Sequence, residues 1–259
     1  MEIVAVLAII AIVAVLVISS GKKLAPLDEL KKINLSPNGI SELQKTIKML
    51  EAGDAYAYWL IGGYYEYGKI HTSSGEERFP KSKNKALLWK LQAAEKGCDI
   101  AQYNLGRMYV FGDDIKGSIV EKNYFEALKW LTRATENGEF FSLAALGELY
   151  FHGDRYFPGQ GVPQDYKKAF ELFSRSIEHP HAKQYRSYDA ALRIGEMYAS
   201  GNGVSQDLIQ AYKWMKIGGC DPDQHHQFPL KGKLSSEQIM EADALVNDWY
   251  DSLGRVLKF

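Results

Sequence analysis

The hydrophobic and polar positions of this chain repeat one short phrase four times. In each copy an aliphatic residue and a glycine are followed three residues later by a tyrosine, and three residues after that by a second glycine. At about 100° per residue the apolar positions share one face, which predicts an amphipathic helix that ends at the second glycine. The copies are Ile61, Gly62, Tyr65, Gly68; Leu105, Gly106, Tyr109, Gly112; Leu146, Gly147, Tyr150, Gly153; and Ile194, Gly195, Tyr198, Gly201.

A second amphipathic phrase follows each copy and begins with an alanine. These alanines recur about every 42 residues, which is a period typical of stacked repeats. Polar residues suited to helix entry precede the phrase in each copy, and they are Asn84, Asn123, Asp165 and Asp207. Each period therefore predicts a helix–turn–helix hairpin, which buries its apolar face only by stacking on its neighbours.

The first glycine of each copy lies beside the buried face of its helix. Glycine inside a helix costs roughly 1 kcal/mol relative to alanine. Four repetitions of this cost predict that a neighbouring helix passes too close for a side chain.

The two phrases together resemble the Sel1-like repeat, a relative of the tetratricopeptide repeat. The fourth copy fits without insertion and continues as Gly203-Val204-Ser205-Gln206-Asp207, with Ala211 and Trp214. In the third copy Leu172 replaces the tryptophan, and the first two copies have longer, irregular loops at 69–82 and 113–122. The resemblance implies an all-α fold, an α/α superhelical solenoid used mainly for protein–protein interaction, commonly in bacteria, and it implies no single activity.

The pattern also divides the chain. It predicts a transmembrane anchor at residues 1–20, a juxtamembrane linker at 21–38, a capping half repeat at 39–53, four repeats at 54–98, 99–138, 139–180 and 181–219, and a loop with a C-terminal capping helix at 220–259. In the last part, Ser235 with Gln238 matches a capping box, and the helix that follows should cover the open end of the last hairpin.

Residues 3–18 are an uninterrupted run of Ala, Val, Ile and Leu. At 1.5 Å per residue this run is just long enough to cross a thin bilayer. No positive n-region precedes it and no lipobox cysteine follows it, so we predict an uncleaved single-pass helix. Lysines follow the run at positions 22, 23, 31 and 32. The positive-inside rule then places the body in the cytoplasm, at the bacterial inner membrane, and a periplasmic body is the alternative.

Composition and motifs limit the ligands and reactions that the chain is expected to have. The chain has 31 Lys and Arg against 32 Asp and Glu, so no basic excess indicates nucleic acid as a partner. Phosphate-binding, zinc-protease and nucleophile-elbow motifs are absent. The histidines at 179, 181, 225 and 226 lack further ligands at zinc spacing, and adjacent loop histidines are usually solvated. We therefore expect no catalytic residue, cofactor, metal or small-molecule substrate. Cys98 and Cys220 should lie too far apart for a disulfide.

The positions opposite the buried stripe of each first helix are the candidate site. In a tetratricopeptide-like array they line a concave groove, and aromatic residues and arginine are the usual anchors at interfaces. The alternative is that these side chains pack against their own neighbouring repeats. The candidate partner-binding residues are Trp59, Tyr103, Asn104, Arg107, Glu148, Phe151, Arg193 and Glu196.

Three functions follow from these features. The main hypothesis is a non-catalytic, membrane-tethered adaptor that binds a protein or peptide in the groove. The second is an immunity protein that neutralises a secreted antibacterial effector of the phospholipase type, a role that some Sel1-like proteins have and that requires a periplasmic body. The third is a hydrolase acting on cell-wall or β-lactam substrates. The sequence argues against this function, because it contains no nucleophile with an identifiable base.

Overall fold

The computed structural model describes residues 27–112, 121–153, 162–179, 188–230 and 232–256. The predicted anchor and the first part of the predicted linker lie outside these residues. None of the helices in the described ranges is both long and apolar enough to cross a membrane. The helices are α1 (Leu27–Leu30), α2 (Pro37–Glu51), α3 (Ala55–Tyr67), α4 (Lys83–Glu95), α5 (Asp99–Phe111), α6 (Tyr124–Glu136), α7 (Phe140–His152), α8 (Tyr166–Glu178), α9 (Tyr188–Ser200), α10 (Leu208–Ile217) and α11 (Ser236–Val256). Two strands, β1 (Lys69–Thr72) and β2 (Gly75–Arg78), form an antiparallel hairpin.

The chain divides into two compact units. Among the described residues, unit 1 comprises 27–105, and unit 2 comprises 106–112 together with those from Glu121 onward. Helix α5 is divided between the units after Leu105. The first and second phrases of the sequence are helices in both units, so the predicted helix–turn–helix hairpins are confirmed.

The repeated glycines allow the two helices of each hairpin to approach closely, as the sequence predicts. A Cβ atom added at Gly147 would lie 2.7 Å from Cε1 of Phe173, and one at Gly195 would lie 2.8 Å from Cγ of Met215. In unit 1, a Cβ at Gly62 would lie 2.9 Å from Cγ of Lys90. Real Cβ atoms do not tolerate such distances, so these contacts require glycine.

A backbone hydrogen bond links the two helices of each hairpin at their loop. The N-cap residue of the second helix donates its N–H to the carbonyl oxygen of the repeat tyrosine in the first helix. The four pairs are Ser82 to Tyr65 at 2.9 Å, Asn123 to Tyr109 at 2.9 Å, Asp165 to Tyr150 at 2.9 Å, and Asp207 to Tyr198 at 3.1 Å. Three of the predicted caps are therefore confirmed. The prediction of Asn84 is wrong, because the hydroxyl of Ser82 accepts from the backbone N–H of Lys85 and starts the helix earlier.

Unit 1 contains the β-hairpin of β1 and β2. The sequence pattern predicted an irregular loop at this place. Ile70 is fully buried, and the Phe79 ring that follows β2 packs on Tyr64 and Tyr65 at centroid distances of 5.5 and 5.1 Å. Leu30 and Leu35 are buried in the same core. Leu30 and Leu35, which lie in the predicted juxtamembrane linker, thus contribute to the core of unit 1.

Unit 2 ends with the long helix α11 packed on α10. Ala242 is fully buried, and Trp249 meets Trp214 edge to face at 6.4 Å. The predicted capping box is present: Gln238 accepts from the backbone N–H of Ser235 at 2.9 Å, and Ser235 Oγ accepts from the N–H of Gln238 at 3.3 Å. The C-terminal helix therefore packs against the second helix of the last hairpin.

The role of the close glycines is testable by two alanine substitutions. Gly147→Ala places a methyl group against the buried Phe173 ring, and we expect it to destabilise the protein by about 1–3 kcal/mol in spite of the better helix propensity. Gly63→Ala in α3 meets no described atom within 4 Å, so we expect it to stabilise by up to about 1 kcal/mol. Urea midpoints of the full chain in non-ionic detergent measure both effects. Equal shifts in one direction would contradict the packing argument.

Candidate functional site

The candidate residues of unit 1 lie on the outward face of α3 and on the first half of α5. Trp59 is half-buried, and the ammonium group of Lys90 lies 4.7 Å from the centre of its ring. Lys90 itself is largely buried and donates to Glu66 Oε2 at 2.6 Å. The tryptophan ring is thus supported by a cation whose charge is neutralised by Glu66.

The side chains of the other two candidates of unit 1 already interact with other groups of the protein. Asn104 donates its side-chain amide to the carbonyl oxygen of Ile100, one turn earlier in α5, at 2.7 Å. Tyr103 is half-buried and already has a partner in the structure. Trp59 is thus a large ring at the surface with a cation packed on it.

Four of the five candidates of unit 2 form one cluster around Arg193. Its Nε donates to Glu148 Oε1 and its Nη1 donates to Glu196 Oε2, each at 2.8 Å. The guanidinium carbon lies 5.2 Å from the centre of the Phe151 ring. Four predicted residues are therefore brought together on α7 and α9.

Glu196 differs from the expectation, because it is only 3% exposed. Its second oxygen, Oε1, lies 3.2 Å from Nε2 of His225. The buried carboxylate of Glu196 therefore orients Arg193 and does not face solvent. Arg193 and Glu148 remain about one third exposed and form the accessible part of the network.

His225 is also buried, which corrects the expectation of a solvated loop histidine. Its Nδ1 accepts the backbone N–H groups of Gln227 and Phe228 at 3.3 and 3.1 Å. Since Nδ1 is an acceptor, the ring proton lies on Nε2 and points to Glu196. The loop after the last repeat is thereby attached to the Arg193 network.

The charges of this network determine how its groups ionise. Burial opposes the charged form of Glu148, but the hydrogen bond with His152 and the charge of Arg193 outweigh it, so the pKa of Glu148 lies below its ordinary value. For Arg193, burial is likewise outweighed by Glu148 and Glu196, which raise its pKa. The pair is ionised at neutral pH.

Arg107, the remaining candidate, is exposed in the C-terminal half of α5. Its guanidinium carbon lies 5.6 Å from the centre of the Phe111 ring, which is also exposed. An arginine stacked on an accessible ring is a common interface anchor.

The surroundings of the two cysteines do not favour nucleophilic chemistry at their thiols. Burial raises the pKa of the Cys98 thiol, and burial together with Asp221 and Glu196 raises that of Cys220. A reactive cysteine needs the opposite shift. Both cysteines carry free thiols. Within the described ranges, no group of three or more His, Cys, Asp or Glu side chains is placed to hold a metal ion.

Sequence reasoning missed Lys90 and His225. Lys90 had a detectable signal, because it is a charged residue within the apolar stripe of Ala86, Trp89 and Ala93. His225 had none, because it lies outside the repeat period and its partner Glu196 belongs to the last repeat.

The fold and these surfaces define a protein of helical-hairpin repeats. The family model described as Sel1 repeat matches residues 55–98, 99–139, 141–181 and 189–219, more than half of the chain. The chain belongs to the Sel1 repeat family, and the four predicted repeats are confirmed.

Individual relatives agree with this assignment. The chain is 29% identical over 119 residues to the ERAD-associated E3 ubiquitin-protein ligase component HRD3B of Arabidopsis thaliana, covering 46% of this chain and 16% of that protein. It is 28% identical over 135 residues to the protein sel-1 homolog 2 of Rattus norvegicus, covering 51% and 18%. It thus spans less than a fifth of the length of these curated relatives. The crystal structure of a Sel1 repeat protein from Oxalobacter formigenes is 28% identical, with a TM-score of 0.50 and coverage of 68% of this chain and 62% of that one.

The lowered pKa of Glu148 predicts a pH-dependent stability. A carboxylate with a depressed folded-state pKa stabilises the protein above its ordinary pKa of 4.5, and this contribution is lost as the pH falls through the lower value. The stability difference between wild type and Glu148→Gln should therefore be largest near neutral pH and should shrink below about pH 4.5. Urea midpoints between pH 7 and pH 3 measure it. Glu171→Gln, at an exposed position of α8, is the control that should show little change. A difference that stays constant with pH would contradict the assignment.

Proposed function

We propose that this chain is a non-catalytic adaptor of a bacterium, tethered to the inner membrane by residues 1–20, which binds a protein or peptide partner with the outward faces of its first helices. The observation that carries the proposal is that charged side chains contact and orient large anchors at these faces. Lys90 supports Trp59 in unit 1, and Glu148 with Glu196 holds Arg193 against Phe151 in unit 2.

Such support matters because binding loses free energy when flexible side chains are ordered. An anchor whose rotamer is already fixed avoids much of that loss. An arginine held by two carboxylates beside an aromatic ring is such a prepared contact.

The family supports a binding role in general terms. HRD3B is by its name a component of a ubiquitin ligase, and hence of an assembly of several proteins. The membrane tether rests on the apolar run at residues 3–18.

Removing the anchors tests the adaptor function. We expect the combined change of Trp59→Ala, Tyr103→Ala and Arg107→Glu to lower the amount of captured partner by about tenfold or more, since interface anchors of these types each contribute about 1–2 kcal/mol or more. Affinity capture from detergent-solubilised membranes, quantified by mass spectrometry, measures it. Phe125→Ala, which removes an exposed ring from the second helix α6, is the matched control. Survival of every partner in the triple variant would refute the assignment of this surface.

The orientation of the body separates the adaptor from the immunity protein. We expect a fusion at Phe259 to be active with a reporter that folds in the cytoplasm and inactive with a phosphatase that folds only outside it, because the lysines follow the apolar run. Activity of the phosphatase fusion alone would contradict this orientation. It would instead favour an inhibitor of an effector that acts at the envelope.

A further inference from the structure

A continuous chain of polar contacts in unit 2 ends in a histidine on each side. Nε2 of His152 lies 3.0 Å from Glu148 Oε2, and Glu148 Oε1 accepts from Arg193. Arg193 donates in turn to Glu196, whose second oxygen lies 3.2 Å from Nε2 of His225. The chain joins α7 and α9 to the loop that follows the last repeat, so a change in that loop reaches the Arg193 anchor directly.

The ring of His225 uses both of its nitrogens in the neutral form. Nδ1 accepts the backbone N–H groups of Gln227 and Phe228 at 3.3 and 3.1 Å, and the side chain is only 2% exposed. A second proton binds at Nδ1, so both of these hydrogen bonds would be lost and three N–H groups would face one another. The closed conformation of this turn therefore excludes the charged form of His225.

Glu196 is the group that favours a charged ring, but its attraction does not restore the turn. Its Oε2 is already bound to Arg193 at 2.8 Å, and the added proton would point away from Oε1. The exposed ring of His226 stacks on His225 at 4.9 Å, and in acid it would place a second positive charge against the first. Protonation of His225 is therefore coupled to opening of the turn.

This opening can be local, because the two ends of the loop are fixed independently of His225. Leu230 is 2% exposed in a core with residues of α10 and α11, and its N–H donates to the carbonyl oxygen of Pro222 at 2.9 Å. At the other end, the N–H of Cys220 donates to the carbonyl oxygen of Met215 at 2.9 Å. Residues 225–228 lie between these points and contact α9 through His225. We name residues 225–228 the histidine latch.

Other ionisable groups around the loop keep their charge between pH 7 and pH 5. Asp221 accepts two hydrogen bonds within the loop, and Lys216 of α10 binds Asp243 of α11 at 2.6 Å. Burial, together with Asp221 and Glu196, raises the pKa of Cys220, so its thiol stays neutral. Exposed carboxylates and amines titrate outside this range. A proton that the loop takes up between pH 7 and pH 5 therefore goes to its two histidines.

We propose that the histidine latch makes the orientation of the Arg193 anchor dependent on pH. At neutral pH the uncharged His225 holds the latch closed over Glu196. Below about pH 6.5, where a histidine in an open loop becomes charged, the latch opens, water reaches Glu196, and Arg193 loses one of the two fixed carboxylates that orient it. The effect on a bound partner rests on the proposed function, whereas the opening itself does not.

Hydrogen exchange of the full chain in non-ionic detergent, resolved to single residues by fragmentation in the mass spectrometer, tests the latch. The open latch binds one proton more than the closed latch, so lowering the pH favours opening. We expect the opening constant at the Phe228 N–H, corrected for intrinsic exchange, to rise by about tenfold per pH unit below about pH 6. The Leu230 N–H, which is bonded to Pro222, should not change.

Two variants separate His225 from its neighbour. His225→Asn supplies a side-chain oxygen that can accept the same backbone N–H groups but does not titrate. We expect the pH dependence at Phe228 to disappear in this variant, even if the latch is weaker at pH 7. His226→Gln removes the exposed histidine and should keep the dependence of the wild type.

Two results would overturn the proposal: protection of Phe228 that stays constant or rises between pH 7 and pH 5, or the same pH dependence in His225→Asn. The first is measured on the wild type and needs no variant to fold. Capture of the partner tests the adaptor function separately. If the anchor variants abolish capture while the protection of Phe228 ignores pH, the adaptor function stands and the latch is wrong. If the latch opens in acid while capture is unchanged, the latch stands and Arg193 is not part of the binding surface.

Discussion

Direct contact between the two helices of each hairpin is the constraint on which both units depend. A side chain at Gly62 or Gly147 would occupy space that already holds Lys90 or Phe173. Each hairpin is therefore closed by a glycine of the first helix that packs against a side chain of the second helix. This leaves the opposite face of each first helix free to vary, and that is where the candidate binding residues lie.

The sequence predicted the repeated elements well because each was signalled several times by the same spacing. Features that occur only once in the chain were predicted less well. The strands around Ile70 are only four residues long, and no Asn-Gly or Asp-Gly pair marks their turn. Leu30 and Leu35 lie in a short lysine-bearing segment outside the repeats, so their burial depends on contacts with the first repeat that the repeat pattern does not reveal.

The candidate site shows the same division. The positions of Trp59 and Arg193 follow from the repeat alone, whereas the groups beneath them do not. Glu196 is buried because the loop that carries His225 lies on it, and that loop has no place in the period. A buried polar partner from outside the repeats can give equivalent positions of two repeats different roles. In one repeat the charged side chain is exposed for contact, whereas in another the side chain at the same position is enclosed and positions a neighbouring residue.

The hydrogen bond from each N-cap to the repeat tyrosine has an evolutionary consequence. It fixes the two ends of the connecting loop beside each other, as between Tyr198 and Asp207 in the shortest case and between Tyr65 and Ser82 in the longest. The entropy of closing a loop rises only with the logarithm of its length, by about 0.6 kcal/mol for each doubling. New segments, such as the strand hairpin of the first repeat, can therefore be inserted at these four points while the helices remain in register.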